Sequence, residues 1–466
     1  MVKKTLKWCN ISINEIIKRD SRLDASVYDV EAKKAWENVI NGKYPCLPLL
    51  GEKGLIKEAF YPGRFKRIYC SKQYGEPFYL PSQMTDIYPK AEKFISRFTK
   101  CNISQLRLKK NTLLLTRSGT IGRVGYVSKT LENSVYSDDV IRVKFKKDYD
   151  LGYCYAYLKS DIGSKVLQTN GYGSVITHLE PEHLKEIPIP QAPIEVRKRI
   201  NNFVSKSYEL RDISNNLIDE ATEIFTKELH LPSLLEMEIM NSKNAFNVPI
   251  NKLNYRLDGS YHIPVVEQIK THLKNYADEL ITLGDKKISK KIILAGVFKR
   301  TYVDEEYGYP FLGGKELGQL IPKTEKFLSK AVHKDRYEKE LKVEKNTILV
   351  TDRGTIGNVV MVPEHWNGYA VSQNVLKLIP ATQDIAGYIY IFLNTDIGNT
   401  LIKRQTYGSV VDMIDNNSLS SVEIPLLKNK NEQKKINDLA LKANDLRYNA
   451  YLLEKEALNI MNNEVL

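Results

Sequence analysis

The chain has 466 residues, 42% of them hydrophobic and 27% charged, which excludes a disordered polymer and leaves room for two or three domains with packed cores. Lysines and arginines outnumber acids by 69 to 56, and the resulting charge of +13 favours a polyanionic partner, nucleic acid first, although an A+T-rich coding bias raises Lys, Asn and Ile as well. Five cysteines without a CxxC pair and seven histidines without an HExxH spacing exclude a zinc framework and a disulfide scaffold, and leave no visible metal site.

The opening residues, Met1–Trp8, lack the apolar stretch of a secretory signal, and no run approaches the roughly 18 apolar residues of a membrane span, so a cytoplasmic protein without membrane contact is expected. Next come Arg22-Leu23-Asp24-Ala25-Ser26, Phe65-Lys66-Arg67-Ile68-Tyr69 and Tyr74-Gly75-Glu76-Pro77-Phe78. Leu113-Leu114-Leu115-Thr116 is a short apolar run ending at a Gly-containing turn, as a buried strand would. The turn Gly119-Thr120-Ile121-Gly122 reads as structural rather than as a phosphate cradle. Val140–Phe145 alternates in part and predicts a further strand; the segment around 152–165 predicts a helix. Tyr172-Gly173-Ser174-Val175 and Ile187-Pro188-Ile189-Pro190 complete the unit.

All of this then happens again. Asn111–Gly122 returns as Asn346–Gly357, an offset of 235 that holds without a gap for some eighty residues, through Tyr407-Gly408-Ser409-Val410 and Ile424-Pro425. Upstream the offset drifts to 233 and 234, aligning Phe298-Lys299-Arg300-Thr301-Tyr302 with the Phe65 segment and Arg256-Leu257-Asp258-Gly259-Ser260 with the Arg22 segment. A whole α+β domain with a largely antiparallel sheet is duplicated. The alignment sets Cys70 opposite Val303 and Cys154 opposite Ile389, which suits small core side chains rather than reactive thiols.

Each copy runs into a long amphipathic stretch. Phe203, Leu210, Leu217 and Ile224 recur every seven residues with Ser207, Ser214 and Ala221 between them; Leu439, Leu446, Leu453 and Ile460 do the same with Ala443, Ala450 and Ala457. That alternation of large and small residues predicts two helices pairing as a coiled coil, expected to be antiparallel because that places the domains at opposite ends of the rod. The first is expected from about Ile194 to Leu229, stopped by Pro232, and at 1.5 Å per residue each makes a rod of roughly 50 Å. Such a pair would hold two similar domains apart, which suits a ligand with two separated and similar sites. Duplex DNA is one, its major-groove face returning about every 34 Å.

In the order and repetition of these motifs, and in Glu432-Gln433-Lys434-Lys435-Ile436 opening the last helix, the sequence resembles the specificity subunits of type I restriction–modification systems over nearly its whole length. The first helix departs by opening Pro193-Ile194-Glu195-Val196-Arg197. The resemblance implies two tandem pseudo-symmetric target-recognition domains, residues 1–192 and 236–429, each followed by a spacer helix, residues 193–235 and 430–466. It implies a non-catalytic subunit that recognises a split site in double-stranded DNA and directs two adenine-methyltransferase subunits to it, with restriction motor subunits where the system has them. No cofactor is expected on this chain: S-adenosylmethionine belongs to the methyltransferases, and ATP with Mg²⁺ to a restriction subunit. The residues agree, since no methyltransferase motif and no P-loop is present, and Gly313-Gly314-Lys315-Glu316 lacks the spacing of one. A self-contained DNA-modifying or DNA-cleaving enzyme and a protein-binding scaffold are the competing classes.

Comparing the copies selects candidate contacts. Residues that both keep build a frame, and polar differences within it could set two specificities. Arg117-Ser118 stands where the second copy has Asp352-Arg353, Asp138-Asp139 where it has Gln373-Asn374, and Thr177-His178 where it has Asp412-Met413. Arginine suits a guanine edge, Asn or Gln an adenine, and a carboxylate a cytosine, so these swaps could change base preference; drift at exposed positions accounts for them too. Lys66-Arg67 and Lys299-Arg300, kept in both halves beside aromatics, suit phosphate contacts, or equally a solvated strand edge.

Overall fold

The apolar runs become strands because their β-branched and aliphatic side chains can be buried on both faces. Thus Leu113–Thr116 is buried at every residue. The structure, a computed structural model, describes residues 10–18, 23, 28–118, 122–169, 178–239, 245–253, 255–322, 326–408 and 411–466. It forms two units, Met1–Asp212 with Asn449–Leu466, and Ile213–Tyr448.

In unit 1 the strands are β1 (Cys46–Pro48), β2 (Ile56–Phe60), β3 (Tyr69–Cys70), β4 (Gly75–Tyr79), β5 (Lys93–Ser96), β6 (Leu113–Thr116), β7 (Val124–Tyr126), β8 (Val135–Tyr136), β9 (Val140–Phe145) and β10 (Pro188–Pro190). They are spread over a sheet of order β2-β9-β6-β7, a sheet of order β3-β5-β4-β8 and a β1-β10 ribbon. Every pairing is antiparallel except β4 with β8, where Phe78 faces Val135 and Tyr79 faces Tyr136. The ribbon explains the Pro-Ile-Pro exit: proline has no N–H for a ladder, so the segment serves as a two-stranded edge.

Unit 2 repeats this strand for strand with β11 (Glu279–Thr282), β12 (Ser289–Ile293), β13 (Tyr302–Val303), β14 (Gly308–Leu312), β15 (Phe327–Ser329), β16 (Ile348–Thr351), β17 (Val359–Met361), β18 (Ala370–Val371), β19 (Val375–Pro380) and β20 (Glu423–Leu426). The orders are β12-β19-β16-β17, β13-β15-β14-β18 and β11-β20, and β14 pairs β18 in parallel as its counterpart does.

A buried cation sits at the same point of both frames. Arg142 on β9 donates to the carbonyls of Val140 (2.6 Å), Leu106 (3.2 Å), Tyr136 (3.2 Å) and Ser137 (3.3 Å), tying its own sheet to the end of β8. Its counterpart on β19, Lys377, donates to Lys342 O at 2.8 Å. Burial lowers both, Arg142 to about 10 and Lys377 to about 8.

The helix expected around residues 152–165 is two helices, Tyr149–Lys159 and Asp161–Thr169, and its copy is Gln383–Asn394 and Asp396–Arg404. Ser160 and Thr395 take extended backbone angles, and their hydroxyls accept from the amides of Gly163 and Gly398, both at 3.0 Å. The chain turns so tightly here that a Cβ on Gly163 or Gly398 would collide with the carbonyl of Tyr157 or Phe392. The repeated Asp-Ile-Gly is a corner, not a helix interior. Cys154 is fully buried and Cys70 half-buried; burial pushes the Cys154 thiol well up, and Cys46, Cys70, Cys101 and Cys154 are all free of disulfides.

The first long helix is Ile194–Glu228, and the second is Lys430–Ile460, extended by a wide turn over Met461–Val465. The first ends where His230 adopts a left-handed φ of 46° and Leu231 N bonds back to Thr226 O, before Pro232. Pairing is antiparallel. Within unit 1, Arg199 pairs with Glu464, Ser207 Oγ donates to Ala450 O at 2.7 Å, and Arg211 pairs with Glu454. Within unit 2, Lys435 faces Glu220 at 3.5 Å.

The small seam residues Ser207, Ser214, Ala221, Ala443, Ala450 and Ala457 are all fully buried. The large ones, Phe203, Leu210, Leu217, Ile224, Leu439, Leu446 and Leu453, are only half-buried, while Ile460 is buried. Their next neighbours Val204, Arg211, Ile218, Phe225, Ala440, Arg447, Glu454 and Met461 lie deeper. The buried face is turned by one residue because each helix also packs on its own unit's aromatics. Tyr208 stacks on Tyr126 and meets Tyr155 edge-on, and Phe225 meets Tyr388 and Phe392.

That rotation buries charge. In unit 1, Glu454 accepts from Lys159 Nζ (2.5 Å), Tyr155 OH (3.0 Å) and Arg211. In unit 2, Arg447 and Tyr390 hold the places of Arg211 and Tyr155, but Ile218 stands where Glu454 would. Arg447 is buried; its Nη1 donates to Tyr390 OH at 3.2 Å, and its Nε and Nη2 have no partner among the described residues.

Candidate nucleic-acid interface

In unit 1 the last residue of β6 feeds directly into Arg117-Ser118, and the flanking backbone fixes both. Arg117 N donates to Asp139 O (3.0 Å) and Leu179 N to Arg117 O (2.7 Å). The Arg117 side chain is buried, clamped by Glu180 (Nη2–Oε1 2.5 Å), 3.6 Å from Asp139 Oδ1, and 4.2 Å over the Tyr61 ring. Ser118 Oγ donates to Asp139 Oδ1 at 2.8 Å, and its backbone bridges to His178. Arg67 pairs with Asp138 (2.6 Å), donates to Ser137 Oγ (3.2 Å), and lies 3.7 Å from Asp139. Burial works against both guanidinium charges, yet Asp138 and Glu180 more than restore them. Six of the expected residues, Arg67, Arg117, Ser118, Asp138, Asp139 and His178, therefore meet on one rim. Lys66 is exposed beside it. Thr177 lies outside the described residues, as do Gly119–Ile121, the Tyr172–Val175 segment, Ser409-Val410 and most of the Arg22 segment.

Unit 2 builds the same rim from different chemistry. Asp352, in the place of Arg117, is fully buried and joined by its backbone to Asn374 O (3.3 Å) and Ile414 N (3.0 Å). Arg353, in the place of Ser118, donates from Nε (3.0 Å) and Nη2 (2.9 Å) to Asp352 Oδ2, and its backbone bridges to Met413. The side-chain oxygens of Gln373 and Asn374, in the places of Asp138 and Asp139, are buried and have no partner among the described residues. The acid that holds Arg67 is thus replaced by an amide in the second copy, and Arg300, in the place of Arg67, lies 5.5 Å from the Phe311 ring and among the described residues has no ion pair. Lys299 and Asp412 are exposed. The structure brings Asp352, Arg353, Asn374 and the 412–413 segment together, and among the described residues no hydrogen bond or ion pair joins Lys299 or Arg300 to them.

Two residues of this rim escaped sequence comparison. Glu180 and Tyr61 do the clamping of Arg117, yet neither lies in a swapped dipeptide. The signal for Glu180 was available: an acid, Asp415, stands at the same offset in the second copy, where it caps the helix Asn416–Ser420 through Ser418 N at 2.7 Å. Among the described residues no cluster could hold a metal ion, and no helix is long and apolar enough to cross a membrane.

The family model described as the type I restriction modification DNA specificity domain matches residues 62–223 and 297–440, about two thirds of the chain and one match for each copy of the rim. The chain belongs to this family. It is a DNA sequence-specificity subunit, and the restriction–modification subunits of such a system are its partners. Among solved structures, the chain is similar to the S subunit of a type I restriction–modification system from M. genitalium, at 15% identity over 89% of this chain and 96% of that one, with a TM-score of 0.31. It is also similar to the HsdS subunit of Thermoanaerobacter tengcongensis, at 13% identity over 90% and 99%, with a TM-score of 0.26. No curated protein sequence matches it.

Proposed function

We propose that each unit of this specificity subunit reads one half of a split duplex-DNA target. The observation that carries this reading is a fold repeated strand for strand around two rims whose polar side chains differ. A shared frame with divergent charges is what two readers of two different sequences require, because the frame sets the approach to the groove and the side chains set the bases. The chain acts without a catalytic centre of its own. It brings two adenine-methyltransferase subunits, which carry S-adenosylmethionine, to the target in the cytoplasm, and restriction subunits using ATP and Mg²⁺ where the system includes them.

Methylome sequencing of cells with and without the gene tests the proposal. Loss of adenine methylation at one split motif is the expected result. An unchanged methylome, or cutting or modification of DNA by the purified chain alone, would overturn it.

A further inference from the structure

We infer that Arg353 is the base-reading residue of unit 2, that it selects guanine, and that Asp352 is the residue that positions it. The inference rests on the proposed reading of a split DNA target and goes further by assigning one base to one side chain.

Three observations converge on it. The first is geometry. Arg353 follows the buried Thr351-Asp352 and precedes a turn in which Gly354 and Gly357 have φ of 74° and 84°, so it leaves the frame where the strand ends. Its side chain is 34% exposed, while that of Asp352 is 0% exposed. Nε and Nη2 both donate to Asp352 Oδ2, while Oδ1 is buried and, among the described residues, has no partner. The guanidinium is thus fixed in one plane from its inner edge. Among the described residues Nη1 has no partner, and the outer edge is left to donate.

The second is charge. A guanidinium already facing a carboxylate is close to neutral as a pair, so it gives a phosphate little long-range attraction. Its outward N–H groups keep their direction, and two parallel donors match guanine O6 and N7, a pairing open to arginine on no other base.

The third is the comparison of copies. In unit 1 the place of Arg353 is taken by Ser118, whose hydroxyl is bound to Asp139, and that rim's own Arg117 is turned inward among Glu180, Asp139 and Tyr61. The frame therefore folds without an outward arginine at this point, and Arg353 is not there to build it. Beside it the surface is open: Tyr407, whose backbone pairs with Met413, is 38% exposed and Val411 is 51% exposed.

The test uses the full chain assembled with its methyltransferase subunits, and duplexes of the methylated motif in which each base pair is changed in turn. One G·C pair in one half-site should be required. Arg353→Ala should lower discrimination at that pair alone by about ten- to a hundredfold, and Arg353→Lys should restore it only in part, because an ammonium can still donate to O6 and N7 but has no planar fork for Asp352 to orient. Asp352→Asn should relax the same pair without the drop in salt slope that loss of a phosphate contact gives. Because Asp352 is buried, the two Arg353 variants decide the matter if Asp352→Asn fails to fold. A uniform loss of affinity over all sequences with a salt slope reduced by about one would make Arg353 a phosphate contact and overturn the assignment. So would unchanged discrimination, or relaxation at an A·T pair. A wild-type complex with no sequence preference would sink the proposed function itself, whereas preference that survives in Arg353→Ala sinks only this inference.

Discussion

A lysine and an arginine at equivalent points of the two frames respond differently to pH. Lys377 sits on β19 with its folded value lowered to about 8, chiefly by burial, so between that value and its ordinary 10.5 the unfolded chain binds more protons than the folded one. Stability of unit 2 should therefore rise with pH across that window. Denaturant midpoints measured from pH 7.5 to 10 should climb for the wild type and climb less for Lys377→Met. Glu454 gives a simpler result. Glu454→Gln leaves Arg211 and Lys159 facing a buried neutral amide, and loss of one member of a buried ionic group costs about 3–5 kcal/mol, visible as an earlier unfolding transition of unit 1. Arg67 is held by Asp138, while Lys66 and Lys299 are exposed, and these lysines are the cations proposed to meet phosphate. Lys66→Ala with Lys299→Ala should weaken binding on all sequences and reduce the salt slope by about two, as filter binding at several salt concentrations would show.

At the scale of elements, the sequence was most legible where chemistry repeats. The strands at 113–116 and 348–351 and the helix pair follow from apolar runs and a seven-residue rhythm, which by itself does not set the direction of pairing. What periodicity could not give was which flank of each long helix is deepest. A heptad pattern assumes that a helix has one partner, and these have two, so Tyr208 and Phe225 draw the buried face one residue round. The corner at Ser160 and Thr395 was hidden for another reason. Hydrophobicity continues through it, and only the serine or threonine before Asp-Ile-Gly marks the stop. Gly398→Ala should cost about 1–3 kcal/mol by calorimetry, because the new methyl meets backbone that cannot move aside. Ser214→Leu should cost a similar amount, since its site between helices is fully closed.

For the whole molecule, duplication gives a built-in comparison that replaces a missing set of relatives. It picked out Arg117, Ser118, Asp352 and Arg353, which the structure places at equivalent strand ends. It did not reveal that Arg117 faces inward, because burial of a charged side chain depends on an acid and an aromatic ring brought from 63 and 56 residues away. The two units are also unequal in one hidden respect. Burial alone would raise Glu454, but Lys159 and Arg211 bring it down to about 2, so its contribution is complete above its ordinary value of 4.5 and is lost as pH falls from there towards 2. Unit 2 has isoleucine at that place and, among the described residues, an arginine without an acid; its own depressed carboxylates, Asp258 and Asp415 among them, are exposed or half-buried rather than locked in the core. Vinegar-strength acidity should consequently loosen the halves one after the other, the half with the ionic lock first, leaving a species in which a single reader still stands.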